Sequence, residues 1–187
     1  MLPAQYSLRV SVLELCQLRC GYCLPDNHQK KQSWLSIAQY HKLAKIFSRL
    51  VIDKIRFTGG EPLLRKELPE IISAFREHVP SAKLALTTNG LAFKKRALAL
   101  KEAGLRHITF HLDSLKEERY RALMGPGSVA QVLASVEQAQ GLDMKVKLNM
   151  VVQKSRNDDE LIGFLNFSKV HGVEVRFIEM MNTGSAA

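Results

Sequence analysis

The sequence predicts an α/β protein, a partial (βα)6 barrel of parallel strands with helices on the outside. Short strand-like runs alternate with longer amphipathic runs, which is the βα rhythm of parallel α/β folds. Within most of the strand-like runs apolar residues alternate with polar ones. No internal repeat or low-complexity linker divides the chain, so residues 1–187 are expected to form a single domain.

Six strands are expected from β-branched and aromatic runs that end in turn-forming residues. They are predicted at Ser7–Val12, Lys54–Thr58, Lys83–Thr88, His107–Leu112, Lys145–Val152 and Glu174–Ile178.

Five helices are expected between the strands. Ser36–Gln39 and Ser114–Glu117 have the spacing of capping boxes, and Gly104 and Gly172 follow helical runs as C-terminal caps. The helices are predicted at Ser36–Leu50, Glu67–His78, Phe93–Ala103, Val129–Gln140 and Asp158–His171.

The alternation within the strands favours a curled sheet. A flat parallel sheet covered by helices on both faces needs strands that are apolar throughout. Here one face is polar, and right-handed crossovers put every helix on the other face when the sheet curls. The polar face then lines a cavity. A flat sheet with one wet face stays open as the alternative.

Four cations occupy those alternate strand positions that belong to the polar face: Arg9, Lys54, Arg56 and Lys147. Cations that face one another in a cavity repel unless an anion joins them. Arginine binds phosphate bidentately and lysine adds a point charge. The polar face is therefore expected to bind a phosphorylated small molecule.

All three cysteines of the chain lie between Cys16 and Cys23, just after the first strand, in the spacing C-x3-C-x2-C. Structural zinc takes four protein ligands and an ordinary iron–sulfur cluster takes four thiolates. Three thiolates on a four-iron cluster leave one iron open for a small molecule. Two alternatives remain: three buried free thiols, and a zinc site completed by His28.

A second motif, Thr58-Gly59-Gly60-Glu61-Pro62, follows the second strand at the end where barrel active sites assemble. Its two glycines let the backbone approach a ligand closely, and Glu61 is a candidate for orienting an ammonium group. A tight turn with no ligand is the competing interpretation.

The cysteine spacing, which ends in Cys20-Gly21-Tyr22-Cys23, resembles that of the radical S-adenosylmethionine (SAM) enzymes, and the Gly-Gly-Glu-Pro motif strengthens the resemblance. The resemblance implies that SAM chelates the open iron. Further stretches resemble the GTP 3′,8-cyclase family of molybdenum cofactor biosynthesis. They are Leu8–Ser11, Lys54–Arg65, Leu86–Gly90, Lys147–Val152 and Arg176–Glu179.

The resemblance assigns roles by position. It implies a [4Fe–4S] cluster on Cys16, Cys20 and Cys23, and conversion of GTP to 3′,8-cyclo-GTP by radical chemistry started from SAM. The residues expected at SAM are Tyr22, Gly59, Gly60, Glu61, His111 and Met181. Those expected at GTP are Arg9, Lys54, Arg56, Thr87 and Lys147.

Two departures from the family stand out. His111-Leu112-Asp113 occupies a position where the family usually has Ser-Leu-Asp. The family also carries three later cysteines for a second cluster, whereas no cysteine follows Cys23 here. We therefore expect a truncated or divergent relative. No helix is expected to cover the last strand of the chain. We therefore expect a homo-oligomer or a partner contact there.

The net charge of +9 points to anionic partners, but no basic tail or nucleic-acid motif accompanies it. No run of apolar residues is long enough to cross a membrane, and the N-terminus has no signal-peptide pattern. A cytoplasmic enzyme with an external electron donor is expected. A radical SAM enzyme with another substrate, a non-catalytic cluster- or nucleotide-binding remnant, and a nucleic-acid-binding protein are the alternatives.

Overall fold

The computed structural model of the chain describes residues 6–23 and 34–180. Within these residues, six strands form one sheet in the order β1-β2-β3-β4-β5-β6, and every neighbouring pair is parallel. The strand predictions are confirmed to within two residues at each end. The strands are β1 Tyr6–Ser11, β2 Ile52–Thr58, β3 Lys83–Thr88, β4 His107–His111, β5 Lys145–Val152 and β6 Glu174–Glu179.

The described part of the chain contains six helices, whereas five were predicted from the sequence. They are α1 Ile37–Phe47, α2 Leu68–His78, α3 Ala97–Glu102, α4 Glu117–Met124, α5 Val129–Gly141 and α6 Leu161–His171. Short 3-10 turns, Pro62–Leu64 and Asp158–Glu160, precede α2 and α6.

Helix α4 is the one that was not predicted from the sequence. It is short and mostly polar, and it buries only Tyr120, Leu123 and Met124, too few residues for a helical period to stand out. The predicted capping box before it is wrong, because Lys116 is the N-cap and makes no side-chain cap. The Ser114 hydroxyl instead donates to Glu160 Oε1 at 2.7 Å. The capping box of Ser36 and Gln39 at α1 is present as predicted.

The hydrophobic core lies between the sheet and the helices. Apolar residues of one strand parity, among them Ile55, Phe57 and Phe110, are fully buried on this face. Phe57 meets Phe75 of α2 edge to face, with ring centroids 5.6 Å apart. Each such buried side chain contributes about 2–3 kcal/mol of transfer free energy, so this face holds the helices on the sheet.

The other face of the sheet is polar and concave. Register puts Arg9 beside Arg56 and Thr87 beside Thr109. Burial, and then the charges of Arg9 and Arg176, lowers the pKa of Arg56, so these cations act on one another across the polar face. Six parallel strands in chain order, joined by helices, confirm the predicted partial barrel.

The last strand is partly covered. The Phe177 ring of β6 packs edge-on against Phe164 of α6 at 6.5 Å, although 38% of its surface stays exposed. Ile162, Leu165 and Val170 are exposed on α6 itself. Among the helices in residues 6–23 and 34–180, none is long and apolar enough to span a bilayer.

Candidate active site

We call the segment with Cys16, Cys20 and Cys23 the cysteine loop. It follows the carboxyl end of β1, where Val12 and Leu13 are buried. Cys16 and Cys20 are half-buried and Cys23 is exposed, and all three are free thiols. The Cys23 N–H donates to the carbonyl oxygen of Cys20 at 2.9 Å, which turns the end of the loop back on itself. The three sulfur atoms therefore share one compact loop.

Electrostatics link the three thiols. Burial raises the pKa of Cys20 to about 12, with Asp113 adding to the effect and Cys23 and Cys16 contributing less. Burial also raises the pKa of Cys16, followed by the charges of Glu61 and Cys23. Free thiols in this loop are thus protonated near neutral pH, and a bound cation is needed to hold them as thiolates.

The Gly-Gly-Glu-Pro loop runs directly against the cysteine loop. The Gly60 N–H donates to the Leu13 carbonyl at 2.8 Å, and the Glu61 N–H donates to the Leu15 carbonyl at 2.7 Å. A Cβ atom at Gly59 would lie 2.2 Å from the Leu13 oxygen, and one at Gly60 would lie 2.3 Å from the Leu15 oxygen. Both glycines are therefore required for the close approach of these two loops, a need that the sequence did not reveal.

The Glu61 side chain is buried, and its carboxylate is occupied within the chain. It accepts hydrogen bonds from the Leu63 N–H at 2.9 Å, the Thr88 hydroxyl at 2.7 Å and the Asn89 N–H at 2.7 Å. Burial raises the pKa of Glu61, while these three hydrogen bonds oppose the rise. We call this group of Glu61, Leu63, Thr88 and Asn89 the Glu61 network.

Asn89 connects the Glu61 network to the cysteines. Its side-chain oxygen accepts from Gln17 Nε2 at 3.3 Å, and its Nδ2 lies 4.0 Å from the Cys16 sulfur as a donor. The Leu18 N–H is a second donor to the same sulfur, at 3.4 Å. Sequence reasoning did not assign Asn89 a role, although Asn89-Gly90 directly after β3 is a turn-forming pair at the same sheet edge.

A polar cluster of Tyr22, His111 and Asp113 closes the other side of the loop. The Tyr22 hydroxyl donates to Asp113 Oδ2 at 2.6 Å and also contacts His111 Nε2, which lies 3.1 Å from Asp113 Oδ1. Asp113 is fully buried, and its Oδ1 also accepts from the Val151 N–H at 2.8 Å. This cluster brings the end of β4 to the cysteine loop, and Asp113 is a member that sequence reasoning left without a role.

Asp113 is ionised despite its burial. Burial would raise its pKa, but the charge and hydrogen bond of His111, the Tyr22 hydroxyl and the Val151 N–H together bring the pKa below its ordinary value. The buried carboxylate therefore carries a negative charge and orients Tyr22 and His111.

The concave face below these loops is lined by cations. We call Arg9, Lys54, Arg56, Lys147 and Arg176 the basic face. Burial, and then the charges of Arg56, Lys147 and Arg176, lowers the pKa of Lys54, with Asp53 opposing. Arg56, Lys147 and Arg176 therefore repel the charged form of Lys54.

Some of the basic face is already neutralised. Glu174 accepts from Lys147 Nζ at 2.5 Å and from Arg176 Nε at 2.6 Å. Within the described ranges, no carboxylate forms an ion pair with Arg9, Lys54 or Arg56. Arg56 Nη1 donates instead to the Thr87 hydroxyl at 3.4 Å. Arg176 was not predicted as a site residue, although it shares the polar parity of β6.

Residues 10–168 match the model of the radical SAM superfamily. The chain belongs to the radical SAM superfamily. Members of this superfamily use a [4Fe–4S] cluster together with SAM.

Curated radical SAM relatives include two bacterial enzymes named GTP 3′,8-cyclase. The Syntrophomonas wolfei protein is 41% identical over 95% of this chain and 56% of its own length. The Aquifex aeolicus protein is 40% identical over 95% of this chain and 57% of its own length. The chain thus spans little more than half the length of these relatives.

Solved radical SAM structures share the fold at low identity. Streptococcus suis SuiB, bound to S-adenosylmethionine, superposes with a TM-score of 0.82 at 17% identity, covering 95% of this chain and 41% of that protein. Methylornithine synthase superposes with a TM-score of 0.79 at 14% identity, covering 96% of this chain and 54% of that protein. At this identity they establish the fold of the chain.

The structure brings most of the sequence-predicted radical SAM residues to one edge of the sheet. The cysteine loop, Gly59, Gly60 and His111 meet at the carboxyl ends of β1, β2 and β4. Arg9, Lys54, Arg56, Thr87 and Lys147 lie together on the concave face. Met181 and His28 lie outside the described residues.

Proposed function

We propose that this chain is a radical SAM enzyme of the GTP 3′,8-cyclase type, acting on GTP held on its basic face. One observation carries the proposal. The loop of three free thiols lies at the same edge of the sheet as a concave face on which Arg9, Lys54 and Arg56 lack carboxylate partners among the described residues. A site for a three-thiolate cluster beside a site for a polyanion is what such an enzyme requires.

Cys16, Cys20 and Cys23 are the proposed cluster ligands, and their surroundings fit that role. Two N–H donors, from Leu18 and Asn89, point at the Cys16 sulfur. Hydrogen bonds of this kind to ligating sulfur tune iron–sulfur sites. Iron binding also supplies the positive charge that the buried thiols need to ionise.

SAM is proposed to bind beside the cysteines, near Tyr22, Gly59, Gly60, Glu61, His111 and Met181. When bound, cluster and SAM together supply the one-electron chemistry of this superfamily. The protein contributes rigidity: the Glu61 carboxylate fixes the turn after β2, and Asp113 orients Tyr22 and His111. Glu61 thus acts by holding the backbone of Gly59 and Gly60 against the cysteine loop.

GTP is proposed to bind through its phosphates to Arg9, Lys54, Arg56 and Lys147. A triphosphate relieves the repulsion that, after burial, lowers the pKa of Lys54 and Arg56. Thr87, which accepts from Arg56, holds that guanidinium towards the cavity. The strands and the cysteine loop shield the reacting atoms from water.

The domain, the electron donor, the compartment and the partner contact belong to the same proposal. Residues 1–187 are proposed to form one radical SAM core domain with an external one-electron donor. A reducing compartment such as the cytoplasm keeps the three free thiols available for iron. The exposed apolar residues of α6 are the proposed contact for a partner or second copy.

Anaerobic reconstitution with iron and sulfide tests the proposal. With a strong reductant and SAM, the protein is expected to form 5′-deoxyadenosine, and with GTP it is expected to form the cyclised nucleotide. The Cys20→Ala variant should lose iron and both products. Binding of zinc or no metal at the cysteines, without SAM cleavage, contradicts the enzyme assignment. SAM cleavage without consumption of GTP assigns another substrate.

A further inference from the structure

A second group of metal-ligating side chains lies on the helical layer outside the sheet. It contains His41 of α1 and Glu77 and His78 of α2, whose ligand atoms all lie within 4.8 Å of one another. Helix α2 runs back from the carboxyl end of β2 to the amino end of β3 and ends at His78. The group therefore lies towards the sheet edge opposite the cysteine loop.

The two histidines face each other through ring nitrogens. His41 Nδ1 and His78 Nε2 are 3.3 Å apart, and their rings are perpendicular at 89°. A tetrahedral ion with Zn–N bonds of about 2.0–2.1 Å separates two ligand nitrogens by about 3.3 Å. The imidazoles thus already have the spacing of a ligand pair.

Glu77 supplies an oxygen on each side of the pair. Its Oε2 lies 3.7 Å from His41 Nδ1 and its Oε1 lies 3.8 Å from His78 Nε2. The Glu77 side chain is 64% exposed, so a small rotation brings one oxygen to a bound ion without repacking the core. Two imidazoles and one carboxylate leave a fourth tetrahedral position for water.

The surroundings favour a cation. His41 and Glu77 border a groove of about 660 Å³ that also exposes Glu70 and Glu102. The described residues lining this groove include three carboxylates and neither lysine nor arginine. A local excess of negative charge in a chain of net charge +9 raises the concentration of cations at this place.

We propose that His41, Glu77 and His78 bind a divalent transition-metal ion of the zinc type. Imidazole and carboxylate ligands suit Zn²⁺, Co²⁺, Ni²⁺ and Cu²⁺, whereas Mg²⁺ and Ca²⁺ prefer oxygen alone. The ion joins α1 to α2, the two helices on either side of β2 in the sequence. This site is separate from the cysteines and does not depend on the proposed function.

Calorimetric titration of the cluster-loaded full chain with Zn²⁺ tests the site. We expect one zinc ion beyond the cluster, and an affinity at least about tenfold weaker in His41→Ala and in His78→Ala. Glu77→Gln should give a smaller loss. His171→Ala removes an exposed histidine from α6 and should bind zinc as the wild type does.

Cobalt(II) provides a readout that separates this site from the cysteines. Cobalt held by nitrogen and oxygen gives visible bands without the near-ultraviolet charge transfer of a thiolate. Zinc should also shift the ring-proton resonances of His41 and His78 in the wild-type chain, a measurement that needs no variant to fold. Unchanged zinc affinity in both histidine variants, unshifted ring resonances, or a thiolate-type cobalt spectrum would each overturn the proposal.

Discussion

The Glu61 network and the basic face lie on neighbouring parts of the same sheet, but their charged groups differ in how far they are paired within the chain. In the network, one buried carboxylate receives three hydrogen bonds from its own chain. On the basic face, Arg9, Lys54 and Arg56 have no carboxylate partner within the described residues. A buried charge that is fully hydrogen-bonded stabilises one loop arrangement, whereas unpaired like charges cost stability until an anion arrives.

This difference separates stability from binding. Changes in the network should lower the free energy of unfolding, since they leave buried donors without a partner. Changes on the basic face should leave that free energy nearly constant and weaken the binding of phosphates.

Gly60→Ala should destabilise the protein most. The new Cβ would lie 2.3 Å from the Leu15 carbonyl oxygen and 2.4 Å from that of Glu14, both backbone atoms that cannot move aside alone. We expect a loss of at least about 3 kcal/mol, or roughly 6–12 °C in Tm by thermal denaturation. Gly141→Ala is the control, because nothing lies within 4 Å of its Cβ. Equal Tm values for the two variants would contradict the close-approach role of Gly60.

Glu61→Gln should cost about 1–3 kcal/mol in urea unfolding. The amide nitrogen must then face one of the N–H or hydroxyl donors of Leu63, Thr88 and Asn89. Glu137→Gln, at an exposed position of α5, should change stability by less than about 0.5 kcal/mol. A Glu61→Gln variant as stable as Glu137→Gln would show that the network contributes little.

Arg56→Met should weaken phosphate binding and leave stability nearly unchanged, in contrast to the two variants above. Its stability should stay within about 0.5 kcal/mol of the wild type, because relief of the repulsion from Arg9 and Arg176 offsets loss of the hydrogen bond to Thr87. Affinity for GTP or inorganic triphosphate should fall about tenfold, and the remaining binding should weaken with salt. Lys169→Met, an exposed change on α6, should keep full affinity. Full affinity in Arg56→Met would remove Arg56 from the phosphate site.

The smallest effect concerns His107, which lies on the polar face of β4. Burial, and then the charges of Lys54, Lys145, Lys83 and Lys147, lowers its pKa below 6.5. Below pH 6.5 the unfolded chain therefore takes up the proton more readily than the folded one, and stability falls as the pH falls. NMR titration should show this pKa rising in Lys54→Met and unchanged in Lys169→Met. An unchanged His107 pKa in Lys54→Met would show that the charge of Lys54 does not act on His107.

Much of the architecture could be predicted because it follows from local patterns. Period-two alternation in strands such as Lys54–Thr58 gave both the strand positions and the polar face. Helix α4 escaped prediction because its eight residues bury only three side chains, and Ser114 bonds to Glu160, which is distant in sequence. The roles of Asn89, Asp113 and Arg176 escaped for a similar reason, since each depends on partners from other strands and loops.

Four features could be read from the amino-acid sequence alone: the βα rhythm, the three-cysteine loop, the Gly-Gly-Glu-Pro motif and the placing of the cations at alternate strand positions. These are properties of neighbouring residues, and spacing alone encodes them. The folded structure was needed to show that Gly60 faces Leu15, that Glu61 is hydrogen-bonded within the chain, and that His41 contacts His78. Such contacts join residues far apart along the chain, and packing of the whole core determines which of them meet.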